Sequence, residues 1–264
     1  MTTNNTSSAD TWSADLYRKY EAERNRPVVD LLNRIITTEV KSAADIGCGP
    51  GNSTQLLQEK FPKATVVGMD SSPNMIEAAR KRLPDIAFEV ADVANWQNST
   101  SFDVILSNAV LQWVPNHHTL IPNLLEKINA GGTLAIQMPD NFAEPTHRLM
   151  REVAASGHWA KQLTDAPKRL DRQPADWYFN LLYPRVSALD IWRTTYFHPI
   201  KNGAEGIVEM VKSTGLRPYL DTLAPKDQDL FLEAYQAEIS KAYKAQSDGT
   251  VLLPYPRLFI IAVK

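Results

Sequence analysis

Asp45-Ile46-Gly47-Cys48-Gly49-Pro50-Gly51-Asn52-Ser53 joins a short β-rich run, Ala43 to Ile46, to a segment of helical period, Ser53 to Phe61. Glycines between a strand and a helix let a ligand approach the backbone closely and present free amides at the helix N-terminus. Two common glycine loops do not fit. The dinucleotide pattern G-x-G-x-x-G needs glycine where Asn52 stands, and the phosphate loop needs a Gly-Lys-Ser/Thr run that the stretch lacks.

On both sides of this turn, β-rich and helical segments alternate. Tyr17 to Ile36 reads as a helix, with Leu31, Leu32, Ile35 and Ile36 at helical spacing and Pro27 at the start of its regular part. Thr65 to Met69, Ile86 to Val90, Phe102 to Ser107 and Thr133 to Met138 are the next expected strands. Pro73 to Leu83, capped by Ser72, and His117 to Ile128 are helices between them. Strands separated by single helices imply right-handed crossovers and a parallel sheet with helices on both faces. After Asp140 the rhythm changes. Pro145 to Ala155 is expected to be helical, but residues 156–186 show no clean period and contain Pro167, Pro174 and Pro184, so 141–186 reads as a helical or irregular insertion. Leu189 to Phe197 and Val251 to Val263 then read as strands around two helices, Ala204 to Ser213 and Lys226 to Lys244, and suit an antiparallel edge. The expectation is one α/β domain over 1–264, with a seven-stranded, mostly parallel sheet and a loose polar tail at 1–15.

Composition narrows the function. With 28 Lys plus Arg against 30 Asp plus Glu, the formal net charge is -2, and no bulk cationic field exists to hold nucleic acid. Cys48 is the only cysteine, so neither an internal disulfide nor a thiolate metal cluster can form. The five histidines show no metal-ligand spacing, and no metal site is expected. The N-terminus lacks the basic and apolar regions of a secretory signal, and the apolar runs are strand-sized. A cytoplasmic protein without membrane or nucleic-acid partners, a monomer or weak homo-oligomer, is expected. Cys48 reads as a small packing residue, because no histidine lies nearby in sequence to activate it.

The Asp45 to Gly51 stretch, G-x-G-x-G after an acidic residue, resembles the loop of S-adenosylmethionine-dependent methyltransferases. Asp70 supports the likeness. A carboxylate ending the neighbouring strand of a parallel sheet points into the same crevice as the loop and can accept both ribose hydroxyls of an adenosine ligand, although Asp70-Ser71-Ser72-Pro73 also reads as a helix cap. The resemblance further implies that Asp92, in Ala91-Asp92-Val93, receives the adenine amino group, and that Asn108 contacts the methionine part. The implied fold is the Rossmann-like methyltransferase sheet. The implied cofactor is S-adenosyl-L-methionine, bound by Asp45, Gly47, Gly49, Gly51, Asp70, Ser71, Asp92, Val93 and Asn108.

A narrower likeness runs from about Leu16 to Val263. Segments such as Ala22 to Pro27, Leu111-Gln112-Trp113-Val114-Pro115, Gln137 to Asn141, Asp190 to Tyr196, Thr214 to Leu220 and Pro256 to Phe259 resemble the trans-aconitate 2-methyltransferase family. That family implies methyl transfer to a carboxylate of trans-aconitate, giving a monomethyl ester. A polycarboxylate substrate calls for arginine, whose fork binds carboxylate bidentately. Arg24, Arg26, Arg193, Arg217 and Arg257 are the candidates. Arg26 is preferred, because an N-terminal helix commonly lies over the crevice in this fold, bringing Tyr17 and Tyr20 with it. Gln112, Trp113 and Asn141 fall just past the fourth and fifth strands and complete the expected acceptor pocket, with the 141–186 insertion above it. No side chain is expected to act as an acid, base or nucleophile. A methyltransferase for another small acid or a phenol, or a cofactor-binding regulator without turnover, are the alternatives.

Overall fold

The computed structural model describes residues 21–96, 100–166, 172–212 and 214–264. Tyr17, Tyr20 and the expected tail at 1–15 lie outside them. The elements in chain order are α1 (Glu21–Asn33), β1 (Ser42–Ile46), α2 (Asn52–Lys60), β2 (Thr65–Asp70), α3 (Pro73–Arg82), β3 (Ala87–Val90), β4 (Phe102–Asn108), α4 (His117–Glu126), β5 (Ile128–Pro139), α5 (Pro145–Ser156), α6 (Ala175–Leu182), β6 (Ala188–Ile200), α7 (Gly203–Lys212), α8 (Arg217–Leu220), α9 (Pro225–Ala242) and β7 (Val251–Val263).

One seven-stranded sheet has the order β3-β2-β1-β4-β5-β7-β6. β1 pairs in parallel with β2 and with β4, β2 with β3, and β4 with β5. The chain therefore travels outward from β1 to β3 and crosses back to β4, which makes the C-terminal ends of β1 and β4 the point where strand order reverses. Open α/β sheets bind ligands in the crevice at such a point. β7 runs against β5. The Gly131 amide donates to the Lys264 carbonyl and the Lys264 amide to the Gly132 carbonyl, whereas at the far end of β5 the Asp140 amide donates to the Pro256 carbonyl. The mixed sheet with its antiparallel edge is the architecture expected from the sequence.

The chain separates into two compact units, the first of residues up to Gln137 with Asp176–Ile191 and Phe259–Lys264, the second of Met138–Ala175 and Trp192–Leu258. In the first unit Ala43, Ala44 and Ile46 of β1 and Val104, Ile105 and Leu106 of β4 are buried without alternation, as befits central parallel strands covered on both faces. The second unit has its own core, in which Leu149, Met150 and Val153 of α5 gather with Ile207 and Val211 of α7 and with Phe231, Tyr235 and Ile239 of α9. The segment read as an insertion, 141–186, is thus divided, and most of it packs with chain that follows β6.

Local chemistry explains the boundaries. Ser72 accepts the Met75 amide at 3.2 Å, Pro73 fills the first helical position, and Arg80, Lys81 and Arg82 close α3 over its carbonyl end. Pro27 stands inside α1, where it was expected to open the regular helix. β5 begins at Ile128, several residues before the expected Thr133, because Gly131 at φ 75° and a register shift beside Phe102 let the chain enter the sheet early. The α6 helix went unread: it has eight residues, too few for its period to stand out between Pro174 and Pro184. No described helix is long and apolar enough to cross a membrane.

Candidate functional site

β1 ends at Ile46, and the chain turns through Gly47, Gly49 and Gly51 at φ 70°, 54° and 90°. Only glycine adopts these angles without strain, yet the three positions differ in space. A Cβ on Gly47 would lie 2.2 Å from the Val110 side chain, and one on Gly51 would lie 3.4 Å from Ala79. A Cβ on Gly49 would meet nothing within 4 Å. Gly47 is therefore required by packing, whereas Gly49 leaves an open cradle over bare backbone.

Two carboxylates hold this loop. Asp45 is fully buried beneath it, and its Oδ2 accepts the Ser53 and Thr54 hydroxyls at 2.6 and 2.7 Å, tying the last turn of β1 to the first turn of α2. Its Oδ1 has no hydrogen-bond partner among the described residues. Burial pushes its acidity from about 3.8 up to about 6, against the two hydroxyls, and the Asp70 charge adds to the rise. The Ser53-Thr54 pair was not singled out in the sequence, although two hydroxyl residues one turn after a strand-end acid are the signal for it. Asp70, at the end of β2, accepts the Gly49 amide on Oδ2 and the Ser72 amide on Oδ1, each at 2.9 Å. Ser71 beside it is exposed. Burial pushes the Cys48 thiol well up, which fits a packing residue seated with Ile76, Ala79 and Phe88.

The remaining strand ends follow the same pattern. Asp92, past β3, is exposed and caps a short turn through Val93, accepting the Ala94 amide at 2.9 Å. Asn108 ends β4, and its buried Oδ1 has no partner among the described residues. Ala109 follows at φ 56°, a left-handed alanine that no sequence signal announces. The chain then makes a 3-10 turn, Leu111–Trp113, in which the Gln112 amide nitrogen donates to the Ala109 carbonyl at 2.7 Å while its buried Oε1 has no partner among the described residues. Asp70, Asp92 and Asn108 thus offer acceptors at the ends of β2, β3 and β4, with Gln112 in the turn beyond β4. Such a row suits a ligand rich in donors: hydroxyls, an aromatic amine, an ammonium.

The expected acceptor-pocket residues are distributed as follows. Trp113 and Arg26 are exposed, the latter on α1. Asn141 is 1% exposed and belongs to the second unit. That unit also holds three of the other candidate arginines. Arg193 meets Asp140 at 2.7 Å and Glu144 at 3.8 Å, sharing Asp140 with Arg172, which the sequence reading passed over. Arg217 pairs with Asp221 at 3.2 Å. Arg257 is buried, its guanidinium 4.7 Å from the Tyr255 ring centre. Trp192 and Tyr196 lie on β6, with Tyr196 buried and Trp192 half-buried. Among the described residues no group of three or more His, Cys, Asp or Glu is placed to hold a metal ion.

Comparison with known proteins agrees with this geometry. A family model described as "Methyltransferase domain" matches residues 43–132. Among solved structures, the YcgJ protein from Bacillus subtilis superposes with a TM-score of 0.59 at 12% identity, over 91% of this chain and 98% of that one. Haemonchus contortus phosphoethanolamine N-methyltransferase 2, solved with phosphomonomethylethanolamine and S-adenosylhomocysteine, gives a TM-score of 0.56 at 14% identity, over 90% of this chain and 52% of that one. These two share the fold. Trans-aconitate 2-methyltransferase of Methylobacterium radiotolerans is 50% identical over 257 residues, 96% of this chain and 98% of that protein. The protein of the same name from Yersinia pestis is 48% identical over 252 residues, 95% of this chain and 97% of that protein. With likeness of this degree spanning both proteins end to end, and with the methyltransferase sheet beneath it, the chain belongs to the trans-aconitate 2-methyltransferase family.

Proposed function

We propose that this protein transfers the methyl group of S-adenosylmethionine to a carboxylate of trans-aconitate, releasing the monomethyl ester and S-adenosylhomocysteine. Its near-full-length likeness to proteins of that name supports the substrate. The observation in the molecule that carries the reading is the row of acceptors at the ends of β2, β3 and β4 beside the open Gly49 cradle. Ribose hydroxyls, an adenine amino group and an α-ammonium are the donors that such a row takes.

In this reading Asp45 shapes the loop from beneath, Gly47, Gly49 and Gly51 let the cofactor approach the backbone, and Asp70 with Ser71 receives the ribose. Asp92 and Val93 receive the adenine, and Asn108 the methionine part. When bound, the cofactor supplies a methyl group on a positively charged sulfonium, which a carboxylate oxygen can take by in-line displacement. Tyr17, Tyr20, Arg26, Gln112, Trp113 and Asn141 hold the small acid, with Arg26 pairing a carboxylate that does not react. A substrate carboxylate has a pKa near ~4 and is already the nucleophile at neutral pH, so no residue need remove a proton. The chain's contribution is alignment and exclusion of water from the reacting groups. A cytoplasmic enzyme, a monomer or weak homo-oligomer, belongs to the same reading, and a single buried free thiol suits a reducing compartment.

The test is incubation with methyl-labelled cofactor and a panel of di- and tricarboxylates and phenols, followed by product identification. Label in a monomethyl ester of trans-aconitate is expected. Label only in a phenol ether, or in no acid, would reject the reading.

A further inference from the structure

His117 opens α4, yet its ring turns back along the chain. Nε2 lies 2.8 Å from the Leu111 carbonyl, and Nδ1 lies 2.8 Å from the Tyr178 hydroxyl on α6. A carbonyl oxygen only accepts, so Nε2 carries the proton; in the neutral ring Nδ1 is then the acceptor and Tyr178 the donor. Each partner is itself fixed. The Leu111 carbonyl also accepts the Val114 amide at 3.0 Å, closing the Leu111–Trp113 turn, and Tyr178 is fully buried with its ring edge-on to Trp177 at 5.2 Å. The backbone is bent to allow the return: Asn116 takes φ 61° and makes no side-chain cap, leaving His117 to reach past it. His117 and Tyr178 both belong to the first unit, as do Leu111, Gln112 and Trp113.

We propose that His117 and Tyr178 are positioning residues that set the Leu111–Trp113 turn, and through it the Gln112 side chain and Trp113, for binding of the acid substrate. The inference rests on the proposed function for the identity of that acid. The turn itself is short. It follows a left-handed alanine, it is one 3-10 turn long, and Trp113 is 43% exposed. Gln112, by contrast, is 5% exposed with its Oε1 unpartnered, so a small rotation of the turn changes which donor that oxygen can meet. Among the described residues the histidine links the turn's own carbonyl to the buried Tyr178 of α6.

The experiment compares wild type with His117→Ala, which removes both bonds, Tyr178→Phe, which removes one oxygen, and the double variant. Two readouts are taken: KM for trans-aconitate beside cofactor affinity, and hydrogen exchange of the amides between Ala109 and Val114. His117→Ala should raise KM and speed exchange about tenfold, the effect of freeing the Leu111 carbonyl from the one of the two bonds that reaches the turn, with cofactor affinity within about threefold. Tyr178→Phe should act in the same direction, and the double variant should be no worse than His117→Ala, since the bonds form one unit. Unchanged KM and exchange in a folded variant would overturn the proposal, as would KM and cofactor affinity weakening together. Should His117→Ala fail to fold, Tyr178→Phe carries both readouts. Wild type inactive on trans-aconitate would reject the proposed function instead, and the exchange measurement would still decide whether the brace holds the turn.

Discussion

The Asp70 carboxylate accepts the Gly49 amide at 2.9 Å, so the acid at the end of β2 fixes the glycine that forms the open cradle after β1. Two strand ends that are adjacent through the β1–β2 pairing are thereby joined into one surface. The same carboxylate holds the Ser72 amide and so also sets the start of α3. Helix capping and ligand binding, which the sequence offers as alternative roles for Asp70, are served by one side chain.

Asp70→Ala is expected to weaken S-adenosylmethionine binding by about one to two powers of ten, the consequence of losing roughly 1.5–3 kcal/mol from a charged hydrogen-bond partner. The variant should remain folded, because Ser72 still caps α3. Calorimetric titration of the folded variant gives the answer, and unchanged affinity would remove Asp70 from the cofactor site.

Alanine at Gly47 and at Gly49 should fail in different ways. Both incur the left-handed backbone cost of about 1–2 kcal/mol. Gly47→Ala adds a clash with Val110 at 2.2 Å and should lose a further ~1–3 kcal/mol, part of it recovered by Val110→Ala. The methyl of Gly49→Ala enters open space and adds little to that cost, but it fills the cradle and should lower cofactor affinity more than stability. Urea denaturation beside cofactor titration separates the two, and a Gly49→Ala protein with wild-type affinity would place the ligand elsewhere.

Asp45 predicts a pH dependence of stability. Its acidity in the folded protein, about 6, lies above its ordinary 3.8, so the folded state binds more protons than the unfolded state between those values. Its favourable contribution is complete below about pH 4 and is lost as pH rises through about 6, a change of roughly 3 kcal/mol. Denaturation of wild type and Asp45→Asn from pH 4 to pH 7 should give curves that converge or part across that window. Parallel curves would show that burial does not shift Asp45.

Legibility in the sequence followed the physics of each part. The sheet was readable because a parallel strand buried on both faces must be apolar, as in Val104-Ile105-Leu106, and because a βα turn that bares its backbone needs glycine at Gly47, Gly49 and Gly51. Asp70 was readable as a carboxylate at a strand end, where the structure places it, whereas Asp92, just past β3, was named only through the resemblance. Ala109 was not, since nothing in alanine signals a left-handed backbone. The Asp45 hydroxyl bonds are local and their signal was overlooked, whereas the meaning of the His117–Tyr178 link lies in which atoms meet across residues far apart in the chain. Arg172 escaped notice for the same reason: its partner Asp140 sits beyond an aperiodic stretch.

Arg26→Ala should raise KM for the acid while leaving cofactor affinity nearly unchanged. If the guanidinium pairs a non-reacting carboxylate equally in ground and transition states, kcat moves little. Steady-state kinetics with saturating cofactor tests this, and a wild-type KM would return Arg26 to an ordinary surface charge.

The most direct test of the whole account is the single-turnover rate of label transfer from methyl-labelled cofactor to saturating trans-aconitate, with the product identified, between about pH 6 and pH 8. An anionic nucleophile needs no proton removed, so the account predicts a monomethyl ester formed at a rate nearly flat across that range. A rate rising tenfold per pH unit, or label that never reaches the ester, would contradict it.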